Sequence, residues 1–485
     1  MGIVKNNLTS NGSLLILLLF VMGLVEAGEA DFQECGLTHP RLSTVVNARC
    51  HDFQVPLDYS QPEEKKIQLH VAVIPASGKA PQPDPLFFFA GGPGQSAVDS
   101  ALLMWPVFGK VIRQRDIVLI DQRGTGQSTA LDCPEDERME LIADDELLLW
   151  KTRECLENQS VDVRYFTSRQ AVEDVAFVRR ALGYEQINLM GVSYGTRMAQ
   201  LVLREYPDFV RSIILDGVIP LETVIGVDFA ASLQQSLQKL MMYCDSDAAC
   251  SKAFPDLAGD WERYLQLSVD DRRNVRLPHP RTGETLDLEV SRQSLDAALR
   301  MLSYSSETRS LLPLLLHTTA SGDWLPMLGQ ALQVAASLGE DMSEGMHNTV
   351  VCAEDVPYYK DLPAPSNKVL GRFPQQIQTL CSVWPKGESY EDIHRRLQSD
   401  IPALLLSGEL DPVTPVSYGE QALKQFSGGQ HLVVPGQGHN VLPRGCVPRL
   451  AADFLDHLVL ENEETTCVQD TAHLPFFIDM LGPAP

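Results

Sequence analysis

Residues 187–200 read INLMGVSYGTRMAQ, and within them Gly191-Val192-Ser193-Tyr194-Gly195 form the pattern Gly-x-Ser-x-Gly. That pattern has chemical meaning where an apolar strand runs into it and a helix runs out. The glycines then permit a turn sharp enough to lift the serine hydroxyl above a sheet. The surroundings fit: 187–190 is a short apolar strand, and 197–205 carries a helical pattern closed by Tyr206-Pro207. Upstream, SRQAVEDVAFVRRALG (168–183) has apolar residues at helical spacing with Gly183 as a stop, and downstream VRSIILDG (210–217) is another strand.

Further upstream, HDFQVPLDY (51–59) and KKIQLHVAVIPA (65–76) have β character, DPLFFFAGGPGQSA (84–97) is an apolar run ending in a glycine-rich turn, and RDIVLIDQRGTGQS (115–128) places a strand at 117–120 before another tight turn. A cysteine-bounded acidic segment, 133–155, reads as a solvent-facing helix. Strands alternating with helices predict an α/β architecture, a mostly parallel sheet with helices on both faces.

From about residue 221 the rhythm changes. AASLQQSLQKLMMYC (230–244), SLDAALRMLSY (294–304) and WLPMLGQALQVAASLG (324–339) are helical, with no clear strand alternation between them. The sheet resumes with IPALLLSGELDPVTP (401–415) and QHLVVPGQGHNV (430–441). The expected organisation is a leader at 1–30, a first core part at 31–220, a mainly helical cap at 221–395 and a last core part at 396–485.

Composition narrows the function classes. The chain has 485 residues, 44% of them apolar, enough for a large core. Its formal net charge of −25 argues against nucleic acid and anionic membrane surfaces as partners. Lys5 followed by LLILLLFVMGLV (14–25) and small residues has the layout of a signal peptide, with cleavage after Ala27 or Ala30; an uncleaved N-terminal anchor is the alternative. The expectation is an exported protein, periplasmic or secreted, with no stable membrane association. Ten cysteines, at 35, 50, 133, 155, 244, 250, 352, 381, 446 and 467, include no Cys-x-x-Cys. An even number in an exported chain favours disulfides over metal, and pairing neighbours along the chain is the favoured connectivity.

A serine hydroxyl needs a histidine to take its proton and an acid to hold that histidine. Asp411 follows the strand ALLL, and His439 sits in a glycine-rich loop after the last strand. The order Ser193, Asp411, His439 is that of the α/β-hydrolase triad. Glu409 rivals Asp411, and His431 rivals His439. An acyl-transfer site also needs an oxyanion hole, for which the backbone N–H of Tyr194 and one from the loop at Gly91 and Gly92 are the candidates.

At AGGPGQSA, DQRGTGQS, GVSYGT, GELDPVTP and GQGHN the sequence resembles the prolyl (imino) aminopeptidase and tripeptidyl aminopeptidase branch of the α/β hydrolases, over nearly all of the chain after the leader. The resemblance implies Ser193 as nucleophile, Asp411 and His439 as its partners, Gly92 and Tyr194 as the oxyanion hole, and no cofactor. Where that branch usually has histidine before the glycine-proline loop, this chain has Ala90, as exported tripeptidyl-type members do, which puts strict proline specificity in doubt. The Asp121-Arg123 turn is expected to support the site rather than react. An aminopeptidase must bind a free N-terminal ammonium, and Glu354, with Asp355, is the first choice among acids of the cap; a solvated acidic loop is the competing reading. The function expected is an exported serine aminopeptidase acting on peptides with a free N-terminus. The alternatives are a secreted esterase with the same triad and an inactive binding protein on the same fold.

Overall fold

The structure is a computed structural model describing residues 1–2, 32–134, 144–269, 272–339, 342–360, 362, 368–471 and 473–483. The leader stretch and most of the segment between Cys133 and the following helix lie outside the described residues.

The main sheet has nine strands: β1 (Gln33–Leu37), β2 (Val46–Pro56), β3 (Lys66–Ile74), β4 (Leu86–Phe89), β5 (Ile117–Ile120), β6 (Ile187–Val192), β7 (Val210–Asp216), β10 (Ala403–Gly408) and β11 (Gly429–Val434), with a separate hairpin of β8 (Arg273–Pro278) and β9 (Thr285–Val290). The order across the main sheet is β1-β2-β3-β5-β4-β6-β7-β10-β11. The first three strands pair antiparallel, β3 meets β5 antiparallel, and from β5 onward every pairing is parallel. The parallel part is apolar almost throughout because both faces are covered. Alternate residues feed opposite cores: Phe87, Phe89 and Leu189 pack on one face, Leu86, Phe88 and Met190 on the other. Helices Ser168–Ala181 and Tyr194–Glu205 cover the first face, and Ala97–Leu103 and Val447–His457 the second.

Between β7 and β10 the chain leaves this sheet and builds a third core of its own, around Leu237, Leu299, Leu316 and Leu332. This segment is not free of strands, as the sequence suggested. The β8–β9 hairpin crosses it, pairing Val275 with Leu288 and Leu277 with Leu286. Its alternation is real but short, and only Leu277, Leu288 and Val290 of its side chains are buried. Weak one-sided burial between long helices is what hid it.

Five disulfides join Cys35–Cys50, Cys133–Cys155, Cys244–Cys250, Cys352–Cys381 and Cys446–Cys467, the neighbour pairing favoured from the sequence. Among the described residues no helix is long and apolar enough to cross a membrane.

Candidate active site

β6 delivers the chain to Ser193, whose φ of 56° and ψ of −123° lie outside the conformations a helix or strand allows, and helix Tyr194–Glu205 begins at the next residue. Packing explains both glycines of the pattern. A Cβ on Gly191 would sit 2.2 Å from the Gly195 carbonyl oxygen, and one on Gly195 would sit 2.2 Å from the Phe89 carbonyl oxygen on β4. The turn is therefore tight against itself and against the neighbouring strand, and the strained serine is held there by its surroundings.

The second glycine loop lies directly beside it. A Cβ on Gly91 would approach the Cβ of Ser193 to 3.1 Å, and Gly92 has a φ of +104° that disfavours any side chain. Below this loop the buried Asp121 carboxylate accepts from Ser96 Oγ (2.9 Å), Val98 N–H (3.1 Å) and Gln127 N–H (2.9 Å). Arg123 does not pair with Asp121. It forms a bidentate pair with Asp174, both bonds at 2.7 Å, and donates to the carbonyls of Pro56, Leu57 and Tyr165. The turn thus braces the loop and stitches three elements together. Tyr194, as the first residue of its helix, has a backbone N–H with no partner available within the helix.

At the far end of the sheet, His439 Nδ1 meets Asp411 Oδ2 at 2.7 Å, with both side chains buried. Asp411 is fixed in turn by the N–H groups of Val413 (2.9 Å) and Thr414 (2.8 Å) and by the Thr414 hydroxyl (2.6 Å). Burial opposes ionisation of Asp411, but the charge and hydrogen bond of His439 and the bonds from Thr414 outweigh it and hold the carboxyl below its ordinary range. Burial likewise disfavours the imidazolium, yet the Asp411 charge and hydrogen bond prevail and raise His439 above its ordinary value. The sequence rivals are occupied elsewhere: Glu409 accepts from Tyr243 OH (2.7 Å) and Gly436 N–H (3.0 Å), and His431 Nε2 lies 2.9 Å from Ser407 Oγ.

One turn after β7 touches both halves of the site. Ser193 N–H donates to the Asp216 carbonyl at 2.8 Å, and the next residue, Gly217, packs so closely on the imidazole that a Cβ there would lie 2.9 Å from His439 Cε1. The buried Asp216 carboxylate accepts from Val441 N–H (3.0 Å) and Leu442 N–H (2.8 Å), just beyond the histidine. Burial pushes its carboxyl up to about 6 against those two bonds. Sequence reasoning passed over Asp216; an acid at the end of an apolar strand, before glycine, was the available signal.

Ser193, Gly92 and Thr414 open onto a cavity of about 360 Å³. Phe229, Ile377 and Leu380 supply apolar wall, and Lys151, Arg300 and Glu344 supply charge. Tyr304, just after helix Arg292–Leu302, closes over the histidine: its ring stands edge-on to the imidazole at 5.4 Å, and its carbonyl accepts from His439 N–H at 2.9 Å. His347, on the same wall, is lowered to about 4 by burial and then by the charge of Arg300. Tyr304, Arg300 and His347 carry no local motif: Arg300 and Tyr304 fall in a helical stretch of the cap, and no spacing around any of the three marks a site.

Glu354 and Asp355 are not on that wall. Both are fully buried. Glu354 accepts from Ser168 N–H (2.7 Å) and Ser168 Oγ (2.8 Å), and Ser168 Oγ shares a 2.7 Å bond with Tyr194 OH. Asp355 forms a bidentate pair with Arg197 at 2.9 and 3.1 Å and accepts from Ile225 N–H at 2.7 Å. These acids brace the helix that follows Ser193 from behind, and the expectation that they meet a substrate ammonium finds no support in this placement. Among the described residues no group of three or more His, Cys, Asp or Glu is arranged to hold a metal ion.

Comparison with known proteins agrees with this architecture. Residues 84–242 match the family described as alpha/beta hydrolase fold, and residues 367–467 match that described as TAP-like protein. The chain is similar to serine protease Hip1 of Mycobacterium tuberculosis (strain ATCC 25618 / H37Rv), 24% identical over 471 residues that cover 88% of each chain. It is similar to tripeptidyl aminopeptidase of Streptomyces coelicolor (strain ATCC BAA-471 / A3(2) / M145), 28% identical over 192 residues, 35% of each chain. It is also similar to carboxylesterase B of Mycobacterium tuberculosis (strain CDC 1551 / Oshkosh), 25% identical over 466 residues, 84% of this chain and 85% of that one. A strand–serine–helix turn at the end of β6, a paired acid and histidine beyond the last two strands, and the two matched segments give this chain an α/β-hydrolase fold.

Proposed function

We propose that this hydrolase is an exported serine aminopeptidase that removes one residue or a short peptide from an unblocked N-terminus. The observation carrying the reading is the buried Asp411–His439 pair, whose ring packs on the same turn that fixes the Ser193 backbone. In the proposed reaction, Asp411 holds Nδ1–H of His439, and Nε2 takes the Ser193 proton as the hydroxyl attacks the substrate carbonyl. The N–H groups of Tyr194 and of the Gly92 loop stabilise the oxyanion. His439 then returns the proton to the leaving amine, and water, activated by the same nitrogen, releases the acyl group.

Peptide substrates are supported by the likeness to Hip1 and tripeptidyl aminopeptidase. Export is supported by the apolar stretch at 14–25 and by five disulfides, which persist in oxidising compartments. With Glu354 and Asp355 sequestered, we assign ammonium recognition to Glu344, the carboxylate that lines the cavity. The second reading, an esterase, is favoured by the apolar wall and by the likeness to carboxylesterase B.

Two matched substrate sets separate the readings: prolyl, alanyl and tripeptidyl amides with free or acetylated N-termini, and short acyl esters. Ser193→Ala is the control. Amide cleavage that disappears on acetylation, and weakens through KM in Glu344→Gln, is the expected result. Ester turnover without amide cleavage overturns the aminopeptidase and leaves the esterase.

A further inference from the structure

The buried and half-buried arginines of this protein mostly have a matching acid. Arg123 pairs with Asp174, Arg197 with Asp355, Arg292 with Asp296, and Arg115 with Asp84 and Asp456. Arg309, buried without one, is satisfied by the carbonyls of Leu410 and Gly436 and the hydroxyl of Ser306. Arg300 differs from all of them. It lines the cavity onto which Ser193 opens, and among the described residues no carboxylate pairs with it. Its guanidinium lies 4.9 Å from the ring centre of Phe373, 5.3 Å from that of Phe229 and 5.7 Å from that of Tyr304. It donates one hydrogen bond, to Tyr304 OH at 3.0 Å, while its buried Nε has no partner.

Three rings hold this fork still, and the Tyr304 hydroxyl takes up only one of its donors. A guanidinium has five N–H donors, and aromatic faces contact its plane rather than its edge. A leucine or methionine would fill the same space between rings without the desolvation cost of a charge, so packing alone does not account for an arginine here. A planar, pre-oriented fork with open donors matches a carboxylate. His347 does not compete for such a ligand, because burial and Arg300 keep it neutral near pH 7. The site is also close to the chemistry: Tyr304, which accepts the bond from Arg300, packs its ring on His439.

We propose that Arg300 is the specificity-determining residue of this cavity and that the preferred substrates carry a carboxylate, on an acidic side chain or at the free C-terminus of a short peptide. This rests on Ser193 being the nucleophile of an acyl-transfer site, and it holds whether the bond cleaved is an amide or an ester.

The test compares kcat/KM on substrate pairs that differ only in charge, using the purified chain. One pair places Glu against Gln in otherwise identical peptide amides. A second sets a free C-terminal carboxylate against its amide, and a third sets p-nitrophenyl hemiglutarate against p-nitrophenyl pentanoate. The charged member of at least one pair is expected to be favoured by about 10–100-fold, mainly through KM, as a charge-assisted bidentate contact warrants. In Arg300→Gln that ratio falls to within about threefold of unity, and Arg300→Lys, which keeps the charge but loses the fork, falls between. The first two pairs tell a side-chain carboxylate from a terminal one. Equal cleavage within all three pairs by the wild-type chain overturns the proposal, as does a preference that survives in Arg300→Gln. Failure of the peptide pairs alone, with the ester pair behaving as described, sinks the aminopeptidase reading and leaves Arg300 in its role. A measurement that needs no variant is the protection of Ser193 from phenylmethylsulfonyl fluoride: glutarate is expected to slow inactivation and glutaramide is not, and equal effects of the two again overturn the proposal.

Discussion

Asp216 touches both halves of the candidate site and is positioned to tune the proposed reaction. Its carbonyl fixes the Ser193 amide, its carboxylate fixes the loop after His439, and its charge adds to that of Asp411 in raising the imidazole. A general base works only when neutral, so the acid limb of kcat/KM should lie above the ordinary imidazole value of 6.5. Asp216→Asn removes the charge and retains one acceptor, and should move that limb to lower pH. A pH profile on an uncharged substrate checks this, and a limb left in place would mean that His439 does not sense Asp216. Glu354 offers a stability test with the opposite chemistry. Burial raises it from 4.5 to about 7, against the nearby Arg197 charge and the two bonds from Ser168. The folded chain therefore keeps a proton that the unfolded chain loses, and stability falls as pH rises from about 4.5 to 7, by roughly 3 kcal/mol for this group. Glu354→Gln has no proton to lose and can still bond Ser168. Its Tm, followed from pH 4 to 8, should decline less than that of the wild type, with the gain largest above pH 7.

At the scale of elements, the site depends on how closely β6, β4 and the helix after Ser193 approach one another. Gly195→Ala drives a methyl group into the Phe89 carbonyl of β4, and something must shift. The expected cost is roughly 2–3 kcal/mol of stability, in the range of core overpacking. A loss of kcat beyond 10²-fold should accompany it, because the Tyr194 N–H moves with the helix. Chemical denaturation and steady-state kinetics on the same preparation would show both. A stable, fully active variant would mean that the turn has slack the packing does not reveal. This dependence on local approach is why so much here was legible in the sequence. Gly-x-Ser-x-Gly, the acid after ALLL and the histidine in its glycine-rich loop are each written within a few residues, beside strands whose apolar runs announce them. The cap's contribution is not written that way. Arg300 and Tyr304 lie on and just after an amphipathic helix, where polar residues read as solvent-facing until the third dimension turns them toward His439. Glu354 and Asp355 misled for the converse reason. Acids beside a cysteine look exposed, and only the partners Ser168 and Arg197, about 160 to 190 positions earlier in the chain, explain their burial.

At the scale of the whole molecule, the cavity is a seam between two bodies of core, and two of its walls are helices that pack on the sheet core and are tied to each other by a disulfide. Helix Glu344–Glu354 contributes His347, Asn348 and Val351 to the cavity, and helix Phe373–Cys381 contributes Phe373, Ile377 and Leu380; Cys352–Cys381 ties the two together. The bridge closes a loop of 29 positions, for which chain entropy gives roughly 3–4 kcal/mol, and the hydrophobic packing of both cysteines in the core adds to it. Ser193, Asp411 and His439, the proposed reacting groups, follow β6, β10 and β11 and lie outside the loop that this bridge closes. Replacing both cysteines by alanine should therefore lower stability by about 3 kcal/mol and raise KM several-fold more than it lowers kcat, because the walls that orient substrate loosen while the reacting groups stay in place. Urea denaturation and steady-state kinetics below the new transition midpoint would separate the two effects. A fall in kcat at unchanged KM would assign the bridge a different job, that of pressing the helix after Ser193 into position through Glu354, Asp355 and their partners.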